Sequence, residues 1–489
     1  MVAVALAVRL IPVLRGGGLF GTMAYDDGVY FGSAIALLDG RVPYRDFLLL
    51  HPPGILVVLA PFAALGHLVG DPAGFAAARL AFMVLGAVNV VLVTLVASRA
   101  GRRAALAAGA IYVVWEVAAN VERTTWLVAP QSTLLLLALL ILAGPRKRPE
   151  AWVPSARRSA VAGVLLGLNV GLQVWGIVPL AIVLGWLIAI HRRSLQAAVG
   201  PVLATVIGAL VAIAAVWGPF LLVAGPQMVR FVLLDQAGRT LAHASVVERM
   251  RYMEGLPLHH GLGPWVPGFL VIGSFVVAAV AVVWVAWQRR VVRLWAAILA
   301  AQVGTLFLAP PLAHYAGWLA PTAAHVAGCD VDSALEAATS RRWITTTVRL
   351  GFAAGLVVLL VASAVRPIGN RLSLERLDAA LAGERCVTAD SPTLLIETGA
   401  LARYLQHGCP LMLDPTGVSY DDSRLTRMPR RADAGYQAAM AAYYGASDAA
   451  LFTRLGHDAF PASTLAAIRR RLPTDGVLGS VTVMIDADD

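Results

Sequence analysis

Apolar runs of about 20 residues, the length a helix needs to cross hydrocarbon, recur along this chain. They fall at 1–14, 78–98, 104–119, 130–144, 197–224, 266–287, 294–309, 312–328 and 347–365, with one longer run at 160–190. A segment immersed in lipid must satisfy its backbone internally, which leaves helices or a closed barrel. Barrel strands would alternate apolar and polar over about ten residues, and these runs do not alternate. The fold class is therefore a polytopic α-helical membrane protein. Composition agrees: 58% of the 489 residues are hydrophobic and 14% are charged. Soluble chains carry roughly 45–50% and about 25% respectively. A soluble enzyme, a disordered chain and a secreted disulfide scaffold are excluded.

The formal net charge is +10, and Lys147 is the only lysine. Nucleic-acid binding is one reading of that charge, but the positions of the arginines argue for topology. Basic loops mark the cytoplasmic side. The run 160–190 is flanked by Arg157 and Arg158 on one side and by Arg192 and Arg193 on the other. It reads as a hairpin with its apex near Gln173–Gly176, where Gly171, Gly176 and Pro179 weaken a helix. The stretch 54–69 is apolar enough to be a span, yet His67 interrupts it and Pro52, Pro53 and Pro61 punctuate it. Counted as a span, it would place Arg99, Arg102 and Arg103 outside and invert every later loop. Counted as an interfacial or re-entrant helix, it keeps every arginine-rich loop inside, including Arg146, Lys147 and Arg148; Arg289, Arg290 and Arg293; and Arg341, Arg342 and Arg349. The second choice gives eleven spans, the N-terminus inside and the C-terminus outside. The first span is short and holds Arg9, so either the true start lies upstream or the bilayer thins there. A cleavable signal peptide is not expected: a basic leader and a small-residue cleavage site are both missing.

On this topology residues 1–366 form the transmembrane domain, with two long outer loops at 15–77 and 225–265. The tail is different material, richer in Asp and Glu. Residues 385–389 read as a strand, 392–407 as a helix and 410–413 as a strand, a βαβ-like pattern. A small extracytoplasmic α/β domain is expected over 367–489. It holds Cys386 and Cys409, which could pair outside the membrane, although two cysteines without geometry prove little. Cys329 reads as a small apolar filler.

The first outer loop carries the most chemistry: Tyr25-Asp26-Asp27-Gly28, then Gly40-Arg41-Val42-Pro43-Tyr44-Arg45-Asp46-Phe47, then His51-Pro52-Pro53. Two adjacent carboxylates near the membrane surface repel each other and are desolvated, which raises one of their pKa values and suits that group to accept a hydroxyl proton. The alternative is that Asp26 or Asp27 caps a helix beginning near Val29.

The order of these elements resembles the first outer loop of the GT-C glycosyltransferases, among them protein O-mannosyltransferases, lipid A aminoarabinose transferases and the RgtA-like group. There an acidic pair is followed by a short helix, a Gly-x-x-Pro-Tyr-x-Asp turn, and a basic or His residue before prolines. An amphipathic helix along the membrane then follows, which matches the treatment of 54–69 that the arginines require. A looser resemblance lies at His314-Tyr315 and Pro321. The alternative for His314 is a helix end facing headgroups. Several relatives place a lysine in a middle span to meet the donor phosphate; here the nearest residue is the uncharged Gln173. Phosphate recognition would then fall to the second outer loop, with Arg230, Gln236, Arg239, Glu248, Arg249, Arg251, His259 and His260. Guanidinium groups match phosphate bidentately; the alternative is non-specific contact with anionic headgroups. Glu122 and Arg123 would join the site or pair with each other. His259-His260 does not make a metal site, because a third ligand is not evident.

The resemblance implies glycosyl transfer from a polyprenyl-phosphate sugar to an envelope glycan, lipid or protein acceptor at headgroup level. It assigns the base to Asp26, with Asp27 positioning it or the sugar. Donor contacts fall to Arg45, Asp46, His51, Arg230, Arg239, Arg249, His314 and Tyr315. Direct displacement would invert the anomeric carbon. The lipid-linked sugar is the donor this implies; the need for a divalent metal stays open, though the residues do not indicate one. The rival is a secondary transporter or lipid flippase, for which broken helices also fit. Spans nearly free of charge argue against it, as do the long outer loops. A non-catalytic scaffold is a further alternative, for which neutralising Asp26 would leave function intact.

Overall fold

In the computed structural model, residues 145–152, 193, 238–243, 256–264, 311, 338–341, 421–429 and 487–489 are not described; all others are. Four of the described helices are long and apolar enough to cross a membrane by length and composition: α4 (Asp71–Ala97), α10 (Leu195–Ala224), Gly268–Gln288 and Arg290–Leu308. The chain is a membrane protein of mostly helical structure. The contacts divide it into two compact units. One holds Met1–Pro12, Ala81–Trp217 and Leu241–Arg366; the other holds Val13–Leu80, Gly218–Thr240 and Pro367–Asp489.

The first unit is a helical bundle. It contains most of α1 (Val2–Gly16), with α5 (Arg102–Val114), α6 (Glu116–Val121), α7 (Val128–Leu142), α8 (Ala156–Leu172) and α9 (Ile177–Ile190). The long run at 160–190 does break at Gln173, where φ −155 and ψ 135 end α8 and a 3-10 turn follows. The run at 104–119 also breaks, at the extended Trp115. The run at 312–328 begins as a 3-10 helix, Ala313–Leu319, and continues as the α-helix Ala320–Ala337. Small residues set the closest approach. A Cβ on Gly163 or Gly167 of α8 would lie 2.2 or 2.4 Å from the carbonyl oxygens of Thr205 or Ala209 on α10. Four-residue spacing of glycines is what lets two helix backbones touch in an apolar medium.

This bundle contains more charge than its sequence suggests. Arg9, Glu116, Glu122 and Arg123 are all buried. Glu122 and Arg123 do not pair with each other. Glu122 accepts from Arg9 Nε at 2.8 Å and Arg9 Nη2, and also from Asn89 Nδ2 and Tyr112 OH, each at 2.8 Å. Arg123 binds Glu116 and donates to the Val8 carbonyl at 2.9 Å. Arg9 therefore has a buried counter-ion, and a thinned bilayer is not needed to explain it. The argument from charge-free spans against a carrier loses its force with these pairs.

The second unit is built around α2 (Tyr25–Leu38) and α3 (Gly54–Val69), with the C-terminal residues. Strands β1 (Gly21–Thr22) and β2 (Asn370–Arg371) pair antiparallel. A second sheet runs in the order β3-β4-β6-β5. Here β3 (Val387–Ala389) lies parallel to β4 (Ala449–Phe452), while β6 (Val481–Ile485) is antiparallel to both β4 and β5 (Thr474–Leu478). Tyr436, Met440, Tyr444, Phe452, Phe460 and Ile468 form its apolar core. The parallel partner of β3 is thus β4, not residues 410–413, which form no strand. The latter segment turns back to α2: Leu413 is fully buried, and its side chain would meet a Cβ on Gly32 at 3.3 Å. Cys386 and Cys409 form a disulfide with Cα atoms 5.8 Å apart, and Cys329 is a buried free thiol.

Candidate functional site

Candidate side chains lie in both units, and each group is described by itself. In the second unit α2 begins at Tyr25 with Ala24 at its N-cap. The helix starts four residues earlier than the Val29 expected, so Asp26 and Asp27 occupy its first turn and do not cap it. Acidic residues are favoured there by the helix dipole. Consecutive helical residues point about 100° apart, and the two carboxylates separate accordingly. Asp26 is half-buried. Asp27 is wholly buried and accepts two hydrogen bonds on Oδ2 from Arg79, Nε at 2.9 Å and Nη2 at 2.7 Å.

Arg79 is itself fully buried on α4. Its Nη1 donates to the carbonyls of Gly18 and Leu19 and to Glu397 Oε1, each at 2.9 Å. Its guanidinium carbon lies 3.7 Å from the centre of the Phe75 ring. Burial pushes the Glu397 carboxyl up to about 8; the Arg79 charge opposes that rise and the Asp27 charge adds to it. On the same first turn of α2, Tyr25 OH donates to Asp414 Oδ1 at 2.8 Å and accepts from Thr416 N at 3.0 Å. Burial and the Asp414 charge hold that phenol well above its ordinary range.

The Gly40-to-Asp46 turn is closed by its own atoms. Asp46 Oδ2 accepts from Val42 N at 2.7 Å, and Arg45 binds both Asp46 oxygens at 2.8 and 2.7 Å. That guanidinium holds the Asp46 carboxyl below its usual range. Tyr44 takes φ 69, a left-handed conformation uncommon for a bulky residue. Its buried ring and a 2.7 Å bond from its OH to the His51 carbonyl hold it there. The His51 ring meets Tyr30 edge-on at 5.5 Å. Arg230, 3.7 Å from Asp235, opens a π-helical turn, Arg230–Leu234. Gln236 donates to the Leu50 carbonyl at 2.8 Å.

In the first unit Arg249 lies on the helix Val246–Met253 and donates to the Ala309 carbonyl. With Tyr252, Pro310 and Tyr315 it lines a small cleft. Tyr315 packs edge-on against Trp175 at 4.7 Å, and His314 packs on Trp126 at 4.6 Å. Arg251 donates to the Val266 carbonyl at 2.6 Å. Ser245 Oγ accepts from the backbone N–H of the exposed Glu248. Arg239, His259 and His260 lie outside the described residues. Among the described residues no three His, Cys, Asp or Glu side chains are grouped to hold a metal ion.

Arg79 and Glu397 are the residues that sequence reasoning missed. Arg79 carried a signal: a lone arginine at the edge of the run 78–98 that the expected topology puts outside, the side where arginines are disfavoured. Glu397 carried none, because it is brought to Arg79 from 318 residues away.

Neither protein-family models nor curated proteins match the sequence. Solved structures do match the fold. Apo ArnT from Cupriavidus metallidurans superimposes with a TM-score of 0.57 at 18% identity, over 99% of this chain and 96% of that one. The same protein bound to undecaprenyl phosphate gives 0.58 at 17%, over 100% and 97%. Archaeal oligosaccharyltransferase AglB from Archaeoglobus fulgidus, in complex with an inhibitory peptide and a dolichol-phosphate, gives 0.54 at 11%, over 96% and 69%. What these chains share is architecture, and the fold of the present chain is the GT-C fold.

Proposed function

We propose that this chain is an inverting glycosyltransferase. It moves a sugar from a polyprenyl-phosphate donor to a cell-envelope acceptor on the outer face of the plasma membrane, with Asp26 as general base. The observation that carries the reading is the division of the acidic pair: Asp27 is committed to Arg79, while Asp26, on the same helical turn, is half-buried. The GT-C fold supports it, as do the polyprenyl phosphates in the solved ArnT and AglB structures. The membrane topology that goes with it has eleven spans, a cytoplasmic N-terminus and residues 367–489 outside as an α/β domain.

In the proposed step the acceptor hydroxyl oxygen attacks the anomeric carbon and its proton passes to the Asp26 carboxylate. The bond from the anomeric carbon to the phosphate oxygen breaks, and its electron pair leaves on polyprenyl phosphate. Phosphate is a good leaving group, so a strong general acid is not required. The developing charge needs cations and hydrogen-bond donors. Arg249 and Tyr315 supply them, with Arg230 and His51 as further donors. His314, Arg239, Arg45 and Asp46 complete the proposed donor contacts. Asp27 orients the turn that carries the base.

The test uses purified protein in lipid, a panel of radiolabelled polyprenyl-phosphate sugars and an envelope extract as acceptor. Transfer by the wild type that is lost in a folded Asp26→Asn variant supports the enzyme and its base together. Transfer that survives Asp26→Asn removes the base assignment. An inactive wild type with every donor removes the reading in favour of a carrier, and uptake and flipping assays then decide.

A further inference from the structure

Glu397 belongs to none of the sequence motifs, yet it sits at the centre of the acidic-pair cluster. It is 2% exposed, and it ends the short helix Pro392–Glu397 that packs against α2. The packing is close: a Cβ on Gly28, the residue after the acidic pair, would lie 2.4 Å from Thr393 N. One carboxyl oxygen, Oε1, accepts from Arg79 Nη1. The other, Oε2, is buried with no hydrogen-bond partner among the described residues.

We propose that Glu397 is a positioning residue for the acidic pair: through Arg79 it fixes Asp27 and, with it, the first turn of α2 that presents Asp26. The chain of contacts is short. Asp27 receives Nε and Nη2, and Glu397 receives Nη1 from the opposite side of the same guanidinium. A guanidinium is a planar fork, so holding Nη1 sets the direction of the other two donors. Without Glu397, Arg79 keeps only the Gly18 and Leu19 carbonyls on that side. The charged groups that face Glu397 are Arg79 and Asp27. A neutral Glu397 leaves the full positive charge of Arg79 to Asp27, which agrees with the upward shift that burial gives this carboxyl and with the unpartnered Oε2. The role therefore depends on an oxygen acceptor at this place, not on a negative charge.

That distinction sets the test, and the proposal rests on the glycosyltransferase reading. Glu397→Ala and Glu397→Gln are compared with wild type, full-length and in lipid, by two measurements. The first is transfer kinetics with the radiolabelled donor panel. Glu397→Ala lowers kcat at least tenfold with donor KM within twofold, and Glu397→Gln, which keeps the acceptor oxygen, restores at least half of the wild-type kcat. The second does not need turnover: carbodiimide labelling at pH 7 read by mass spectrometry. Asp27 is protected in wild type and in Glu397→Gln and is labelled at least fivefold more in Glu397→Ala. Wild-type kcat in Glu397→Ala, equal loss in both variants, or Asp27 still protected in Glu397→Ala each overturn the proposal. An inactive wild type removes the glycosyltransferase reading and leaves positioning of Asp27 to be decided by the labelling alone. Should Glu397→Ala not fold, Glu397→Asp, which withdraws the carboxyl by one methylene, takes its place in both measurements.

Discussion

Arg79 donates twice to a single oxygen of Asp27, from Nε and from Nη2, and the next residue in the chain to either side of Asp27 that bears a carboxyl is Asp26. Two carboxylates adjacent in sequence thus have different work. The carboxylate of Asp27 is engaged inside the protein by Arg79. Asp26 lies on the same turn without that full burial.

Stability and activity should therefore separate the two substitutions. Asp27→Asn removes one partner of a buried pair, which typically costs 3–5 kcal/mol, so thermal unfolding in detergent should shift sharply downward. Asp26→Asn should leave unfolding close to wild type while reducing transfer by roughly 10²–10⁴-fold, the usual contribution of a general base. An unchanged unfolding temperature for Asp27→Asn would remove the buried pair from the description.

Glu397 gives a pH signature. Its folded carboxyl holds its proton up to about 8, against an ordinary value of 4.5. Between those values the folded chain binds a proton that the unfolded chain has released. Stability from this group is fully present below pH 4.5 and is lost as pH rises through about 8. The total change is on the order of a few kcal/mol, since one pKa unit is worth about 1.4 kcal/mol. Asp390, raised by burial to about 6, contributes in the same direction. The informative quantity is the difference in unfolding half-life between wild type and Glu397→Gln, measured from pH 5 to 9. It should narrow or reverse with rising pH in favour of the variant. A difference constant with pH contradicts the buried, proton-holding carboxyl.

The sequence made the membrane class, the broken run at 160–190 and the acidic pair legible, because each rests on local pattern: apolar length, Gly and Pro, and neighbouring charges. Residues that act through long-range contact were not legible. The chain alone does not say that Arg9 meets Glu122, 113 residues away, or that Asp414 reaches Tyr25. The expected strand at 410–413 failed for the same reason. Of its apolar residues only Leu413 is fully buried, and it faces α2; the sheet takes its parallel partner from 449–452.

The Cys386–Cys409 bridge ties the start of β3 to the end of the helix Ala400–Gln406. It closes a loop of 23 residues, for which loop-closure entropy predicts about 3 kcal/mol. Cys386→Ser with Cys409→Ser should lower the unfolding temperature and raise proteolysis of residues 387–408. The native chain should show no free thiol at these two positions before reduction. Thiol labelling of both cysteines in the unreduced protein would exclude the bridge.

Arg249 and Tyr315 share a cleft in the helical bundle, and the proposed reading makes them donors to the phosphate of the lipid-linked sugar. Interactions made equally with bound donor and with the transition state lower KM without raising kcat, whereas those made with developing charge raise kcat. The phosphate already carries negative charge in the ground state and gains more as the sugar leaves. Arg249→Ala should therefore raise donor KM and lower kcat together. Because Arg249 also donates to the Ala309 carbonyl, Arg249→Lys serves as the control that keeps charge but loses the planar fork. Tyr315→Phe removes one hydroxyl and keeps the ring packed on Trp175, so its loss should be smaller, about 1 kcal/mol or fivefold. Titration of the protein with undecaprenyl phosphate, followed by tryptophan fluorescence, reads the ground-state part directly, since Trp175 and Trp126 adjoin Tyr315 and His314. Unchanged affinity and unchanged kinetics in both Arg249→Ala and Tyr315→Phe would move phosphate recognition out of this cleft.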